Sequence, residues 1–389
     1  MTANLDLGAI RLGYAGFIAS CRAGNGYSLT LGAAASPYAL CFAIFGLQLL
    51  RQDEVLTMHR QLWDLELRNG LAAFRTRRLV VSSSLARDKA YLQLLTFTLS
   101  SLAILDTLRA DPLEEQVCAL LPDDLGRELA ESGVFDGRPG SGNHAMFMAI
   151  LLCHAQQYLG LDTTVQLDQW VELHSVARNQ LGFWGKSRGM THLQFQNGYH
   201  QYEILKYLGI RNWDWRVPAA AVASLADIDG QFAPYPGGGG CYDYDAVFIL
   251  TGSQAAVDRH RLLLERTAAT LQRNGNPDGG FCESHNIRPR NRRNWSNACR
   301  HIARGRGPAR WERLCQCVSL QRSKHDRVRN HWTEEPYAWS SSDLWNSWFR
   351  MLTLARIESA FDPTVAVRWG FINYPGIGYH DSLRKEGYL

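Results

Sequence analysis

Carboxylates, imidazoles, amides and phenols crowd four short segments: Asn143-His144, Asn197 to Glu203, Asp243 to Asp245, and Asp343 to Asn346. Such groups around one partly desolvated pocket suit general acid–base chemistry, because burial and like charges drive their pKa values apart. Asp243, Asp245, His200 and Glu203 are the candidate catalytic groups. His144, Asn197, Tyr202, Tyr244, Asp343, Trp345 and Asn346 are the candidate substrate-binding ones. Asp243 and Asp245 are two positions apart, so on a regular helix they diverge by about 200°. At a loop-to-helix junction they would share a site, one ionised and one protonated. The competing role for each polar residue is to cap its helix or bond the adjacent loop.

Trp339, Trp345, Trp348, Trp184, Tyr199, Tyr202 and Tyr242 add candidate aromatic walls. Aromatic faces stabilise carbocations and also stack on sugar rings, and residue type alone does not separate the two uses. Cys282-x-x-His285, Cys299-x-His301 and Cys315-x-Cys317 match no standard finger, and His144, His192 and His200 have no ligand spacing of note, so no metal site is expected. The chain has no P-loop, dinucleotide fingerprint, nucleophile elbow or His-Glu-x-x-His, and it identifies no cofactor.

The elements that must position these groups recur. Phe135, Phe183, Phe232 and Phe281 each lie one or two residues after a Gly at the start of a polar loop, at intervals of 48, 49 and 49 residues. Fixed periods of this length mark arrays of one supersecondary unit. Each loop leads into a polar-then-apolar helix, such as Met146 to Leu152 or Val247 to Leu250. A second helical stretch follows, such as Thr164 to Gln180 or Gln254 to Arg273, with apolar spacing nearer three to four than two. Ser36 to Leu50, Tyr91 to Leu105 and Asp343 to Ile357 read as diverged inner helices. The whole is an all-α chain of about six helix pairs, enough to close an α/α toroid, with a linear solenoid as the alternative. A single domain over 1–389 is expected, with a basic insertion at 286–332.

The Gly-Gly-Phe loops leading into inner helices resemble the repeat of the terpenoid cyclase and protein prenyltransferase superfamily, from about Ser36 to Ile357. The nearest segment runs from Asp229-Gly-Gln-Phe through Gly240-Cys241-Tyr242-Asp243-Tyr244-Asp245-Ala246-Val247. The resemblance implies a toroid whose inner helices surround a cavity. It places Asp243 on the cyclase proton donor, with Tyr244 in place of the neighbouring acid. It also places Gly239 where a prenyltransferase carries its zinc-binding Asp.

Composition bounds the rest. Twelve Arg and one Lys against two acids lie between Arg288 and Arg329, in a chain of net charge +4. That stretch suits diphosphate or polyuronate, while no nucleic-acid-binding motif accompanies it. Nine irregularly placed Cys suggest reduced thiols and a cytoplasmic protein, and no secretory signal is expected because Asp6 precedes any basic residue. Leu29 to Leu50 is apolar enough to suggest a membrane span. Ser36-Pro37 inside it reads instead as an N-cap followed by a helical first turn, so no stable membrane insertion is expected. The expected function is an enzyme acting on an isoprenoid-like small molecule. The alternatives are a lyase, hydrolase or epimerase on an acidic glycan, and a non-catalytic scaffold.

Overall fold

A computed structural model describes residues 7–82, 84–210, 213–286, 292–322, 327–333 and 335–380. Its first helices are α1 (Gly8–Ser20), α2 (Pro37–Leu49), α3 (Asp53–Val81), α4 (Lys89–Ile104), α5 (Glu114–Cys118), α6 (Leu125–Ser132), α7 (Ser141–Tyr158) and α8 (Thr164–Val176). Then come α9 (His192–Tyr207), α10 (Arg216–Ala223), α11 (Gly240–Leu250), α12 (Gln254–Arg273), α13 (Arg292–Arg304), α14 (Gly307–Arg322) and α15 (Leu344–Phe361). The strands among the described residues are two residues long and pair only as ribbons, such as Phe281–Cys282 against Ser342–Asp343.

Local sequence explains where the helices start. Ser36 is extended, its hydroxyl accepts from the Ala39 N–H (3.1 Å), and Pro37 opens α2. Asp88, Thr191, Ser253 and Asp343 cap α4, α9, α12 and α15 in the same way. The apolar stretch ending at Leu50 is thus a capped helix of 13 residues, and no helix among the described residues is long and apolar enough to cross a membrane.

Six helices, α2, α4, α7, α9, α11 and α15, close a ring in which each packs on the next and α15 returns to α2. They run parallel. The Tyr38 hydroxyl near the start of α2 donates to the Ala90 carbonyl near the start of α4 (2.5 Å). Phe42 and Phe45 of α2 meet Trp345 and Trp348 of α15 in the same order, with ring centroids 4.9 and 4.8 Å apart. These helices are buried on nearly every side, so they carry no single apolar stripe. The outer helices do: α3 buries Leu56, Trp63, Leu67 and Leu71 and keeps its other faces polar. The chain is therefore an all-α toroid.

The repeat has a geometric cause. Asn179, Asp227 and Asn276 each donate a main-chain N–H to the carbonyl four residues on, at 2.8, 2.9 and 2.9 Å. Three residues after each stands a glycine with φ of +82°, +78° and +84° (Gly182, Gly230, Gly279), a conformation costly for any other residue. Phe183, Phe232 and Phe281 follow and are buried. The Phe135 loop departs from this pattern, turning instead at Gly133 after α6.

Where inner helices begin they touch backbone to backbone. A Cβ on Gly142 would lie 2.1 Å from the Asn197 carbonyl oxygen and 2.5 Å from its Cα, so α7 and α9 would have to separate. Gly142→Ala is expected to destabilise the fold by about 3 kcal/mol. Urea unfolding monitored by circular dichroism measures it, and a change near zero would contradict this packing.

The far end of the ring is plugged by the chain after α15. Trp369, Phe371, Ile372, Tyr374 and Tyr379 are buried there. Gly370 N–H bonds the Leu49 carbonyl at the end of α2 (3.0 Å), and the Tyr374 hydroxyl lies 2.9 Å from His154 Nδ1 of α7. Tyr379 packs edge-on against Tyr207 of α9 at 5.0 Å. Among the described residues, the chain after α15 thus covers the end of the ring opposite the inner-helix N-termini.

Candidate active site at the open mouth

The four candidate acids and bases divide into three environments. Asp243 lies in the first turn of α11, and Asp245 stands two residues further along the same helix. Asp243 is fully buried, accepting from the Phe232 N–H (3.0 Å) and facing the Arg350 guanidinium (3.2 Å). Burial pushes its pKa up to about 7, with Arg350 opposing. The cyclase-like position is therefore occupied by a carboxylate that pins a repeat loop to α15, which corrects the expectation that Asp243 opens onto a cavity.

Glu203 and Asp245 form a second, deeper group. Both are almost completely shielded from solvent, and the Glu203 charge makes Asp245 harder to ionise. Burial lifts Glu203 to about 8, partly offset by Tyr199 and Arg356, and lifts Asp245 well above the usual carboxylate range. Asp245 and Asp243 do not share a site.

His200 is also buried, 6% exposed, and stands apart from both groups. The Asn143 amide donates to its Nε2 (2.7 Å), which leaves the proton on Nδ1, an atom without a hydrogen-bond partner among the described residues. Burial and the Lys89 cation lower its pKa to about 3, so at neutral pH it presents a neutral N–H donor.

Most candidate binding residues instead brace the ring. Asp343 caps α15 through the Asn346 N–H and side-chain amide (both 2.8 Å), and Asn346 accepts from Gly240 N–H (3.0 Å). Asn197 joins Gly142 N–H (3.4 Å) and the Arg138 carbonyl (2.9 Å). Tyr202 donates to the Gly182 carbonyl and packs against Phe183, Trp184 and Trp215 on the outer side of α9. Tyr244 is buried between Tyr199 and Phe349. Trp345 is wedged among Phe42, Phe349 and Trp332, at 4.9, 4.4 and 4.6 Å. His144 pairs with Glu128 (3.1 Å) in a rim pocket of about 270 Å³ that also takes Arg87, Lys89 and Arg138.

At the inner-helix N-termini, Tyr242 and Trp339 are two of the expected aromatic walls, whereas Glu283, Tyr235 and Gln196 were not expected there. Glu283 is half-buried and accepts a short hydrogen bond from the Tyr235 hydroxyl. The Tyr235 ring meets Tyr242 and Trp339 edge-on at 6.1 and 6.2 Å. Tyr242 Oη lies 3.5 Å from the Gln196 side-chain oxygen of α9. Cys241 feels the charges of Glu283 and Asp245, and Lys89 in turn feels Cys241 and acts on His200. Gly239 permits the crowding, because a Cβ there would sit 2.7 Å from both Glu283 Oε1 and Tyr235 Oη. Tyr235 and Glu283 are 48 residues apart, one repeat interval, so they follow equivalent loops and meet because adjacent units stack. That interval was the available signal.

The buried acids set a pH dependence. Asp343 and Glu203, lifted by burial to about 7 and about 8, ionise near 4 in an unfolded chain. Between those limits the fold binds more protons than the unfolded chain, so their contribution is lost as pH rises. Buried His174, His192 and His200, lowered to about 3, act in the opposite sense, but only below about 6.5. The melting temperature is expected to fall between about pH 6.5 and 8.5, and a rise across that window in differential scanning calorimetry would contradict it.

Comparison with known proteins adds little to this geometry. No family model matches the chain, and no curated protein does. Two solved structures are similar, one a glycosidase point variant and the other a glycosidase variant in complex with glucose. They are 12% and 13% identical, with TM-scores of 0.43 and 0.42, each match covering 90% of this chain and 96% of the other. Likeness at that level carries no argument about substrate or chemistry.

Proposed function

We propose that the chain is a glycan-processing enzyme acting on an acidic sugar at the open mouth, with Glu283 as the proton-transferring carboxyl. The observation that carries this reading is the contrast in access. Asp243, Asp245, Glu203 and Asp343 are at most 2% exposed, whereas Glu283 is half-buried beside Tyr235, Tyr242 and Trp339. A carboxyl gives or takes a proton only where substrate can reach it.

The remaining groups have roles in the same proposal. Tyr242 and Trp339 offer ring faces for a pyranose. Asn143 and Gln196 supply hydrogen bonds to hydroxyls, and Lys89 pairs with the sugar carboxylate. Glu283 then protonates the glycosidic oxygen as its bond to C1 breaks and water adds to C1, or takes the C5 proton beside the uronate carboxyl as the C4–O bond breaks and the departing oxygen is protonated by water.

The isoprenoid reading has less support. It calls for a deep, dry chamber, and below the mouth the inner helices pack aromatic on aromatic. Phe97 of α4 reaches Trp345 of α15 across α2 (6.0 Å), and the plug lies against Trp348 at Gly378. Kinship with terpenoid cyclases is a separate proposal that rests on the repeat loops alone.

The test is turnover on neutral and uronate-containing oligosaccharides, followed by reducing-end release and by the ultraviolet absorbance of unsaturated products. Cleavage of uronate-containing substrates is expected. Turnover of isoprenoid diphosphates with every glycan inert would overturn the proposal.

A further inference from the structure

We infer that the helix pair α13–α14 is a peripheral docking surface for an anionic membrane. The pair is fastened to the rim of the mouth by its inner side. Glu312 accepts the N–H groups of His192 and Leu193 in the first turn of α9, at 2.6 and 3.3 Å. Arg313, fully buried, donates to the carbonyls of His301 (2.8 Å) and Leu225. Ala298, His301, Ala309 and Cys317 fill the same inward side.

The outward side has a different composition. On α14, Trp311, Leu314, Cys315 and Val318 follow i, i+3, i+4, i+7 spacing and all face solvent, Trp311 at 67% exposure. On α13, Trp295 and Cys299 are exposed beside Arg292, Arg293 and Arg300. Arg304, Arg306 and Arg310 are exposed around the turn between the helices. The segment 292–320 holds one acid, Glu312, and that acid is turned inward.

An exposed apolar stripe carrying Trp, on a helix pair whose own outward residues include arginines and no acid, is the pattern of a helix that lies in a bilayer interface. The apolar residues enter the headgroup boundary while arginines pair with anionic lipids, each contribution too weak alone. No described helix is able to span a bilayer, so attachment is peripheral. The stripe stands on a convex helix face, which fits a bilayer better than a groove-seeking peptide. A soluble polyanion would use the arginines and leave the stripe idle.

Cosedimentation of the full chain with vesicles tests this. The protein is expected to pellet with phosphatidylcholine vesicles containing a third phosphatidylglycerol, and to stay in solution with phosphatidylcholine alone. The double variant Trp311→Ser, Leu314→Ser is expected to lose at least ~10-fold in partitioning while it still unfolds in one cooperative transition, because Trp311 is largely exposed and Leu314 partly so. Arg300→Glu with Arg304→Glu is expected to lose binding as well. Failure of the wild type to pellet would overturn the proposal. So would wild-type binding by the Trp311/Leu314 variant, which would instead assign the face to soluble polyanions, with dextran sulfate as the probe.

Discussion

Glu283→Gln is expected to lower turnover by about 10²- to 10⁴-fold, the usual worth of a positioned proton-transfer group. The amide keeps an acceptor for the Tyr235 hydroxyl and occupies the same volume, so the loop keeps its shape. Glu283 has no ion-pair partner among the described residues and is only half-buried, so stability should hold. The pair of results is what matters: kcat collapses while the melting temperature and KM stay close to wild type. A variant with full kcat would remove Glu283 from the chemistry, whatever its fold.

Arg350→Met is expected to act in the opposite way, through stability, by about 3–5 kcal/mol. The Arg350 guanidinium faces Asp243 (3.2 Å) and also donates to the carbonyls of Cys282 (3.2 Å) and Glu283 (2.9 Å). Met fills similar volume but leaves the Asp243 carboxylate buried without its cation and frees two loop carbonyls. Breaking one partner of a buried pair is the expensive change, because the remaining charge cannot be solvated. Denaturant unfolding measures the loss, and a value under about 1 kcal/mol would show that the pair is dispensable. Because Arg350 holds the Glu283 carbonyl, Asp243 is a positioning residue one step removed from the mouth.

Those two residues show what a sequence can and cannot reveal here. The ring was legible because the same turn recurs with a glycine that only positive φ requires, at Gly182, Gly230 and Gly279. The start of α2 was legible because Ser36-Pro37 is a local signal whose hydrogen bond closes within three residues. Polar residues at inner-helix starts were legible as important but not as to role. Asp343, Asn197 and Asn346 satisfy backbone groups where helices abut, and the same residue types would serve a substrate. Glu283 was missed because its partner Tyr235 lies in the neighbouring unit, and only their separation by one repeat interval marked the two as adjacent. The plug was hidden because Trp369, Phe371, Tyr374 and Tyr379 follow no period. Their aromatic content gave no sign that they would seal one end of the barrel.

The central claim is that substrate enters at the helix N-termini and meets Glu283 there. A crystal structure of Glu283→Gln soaked with a uronate-containing oligosaccharide tests it most directly. The account expects a sugar ring against Tyr242 and Trp339, with its glycosidic oxygen within hydrogen-bonding reach of residue 283 and its carboxylate toward Lys89. A sugar bound only in the rim pocket beside His144 and Glu128, or an occupied chamber around Glu203 and Asp245 deep in the ring, would contradict it.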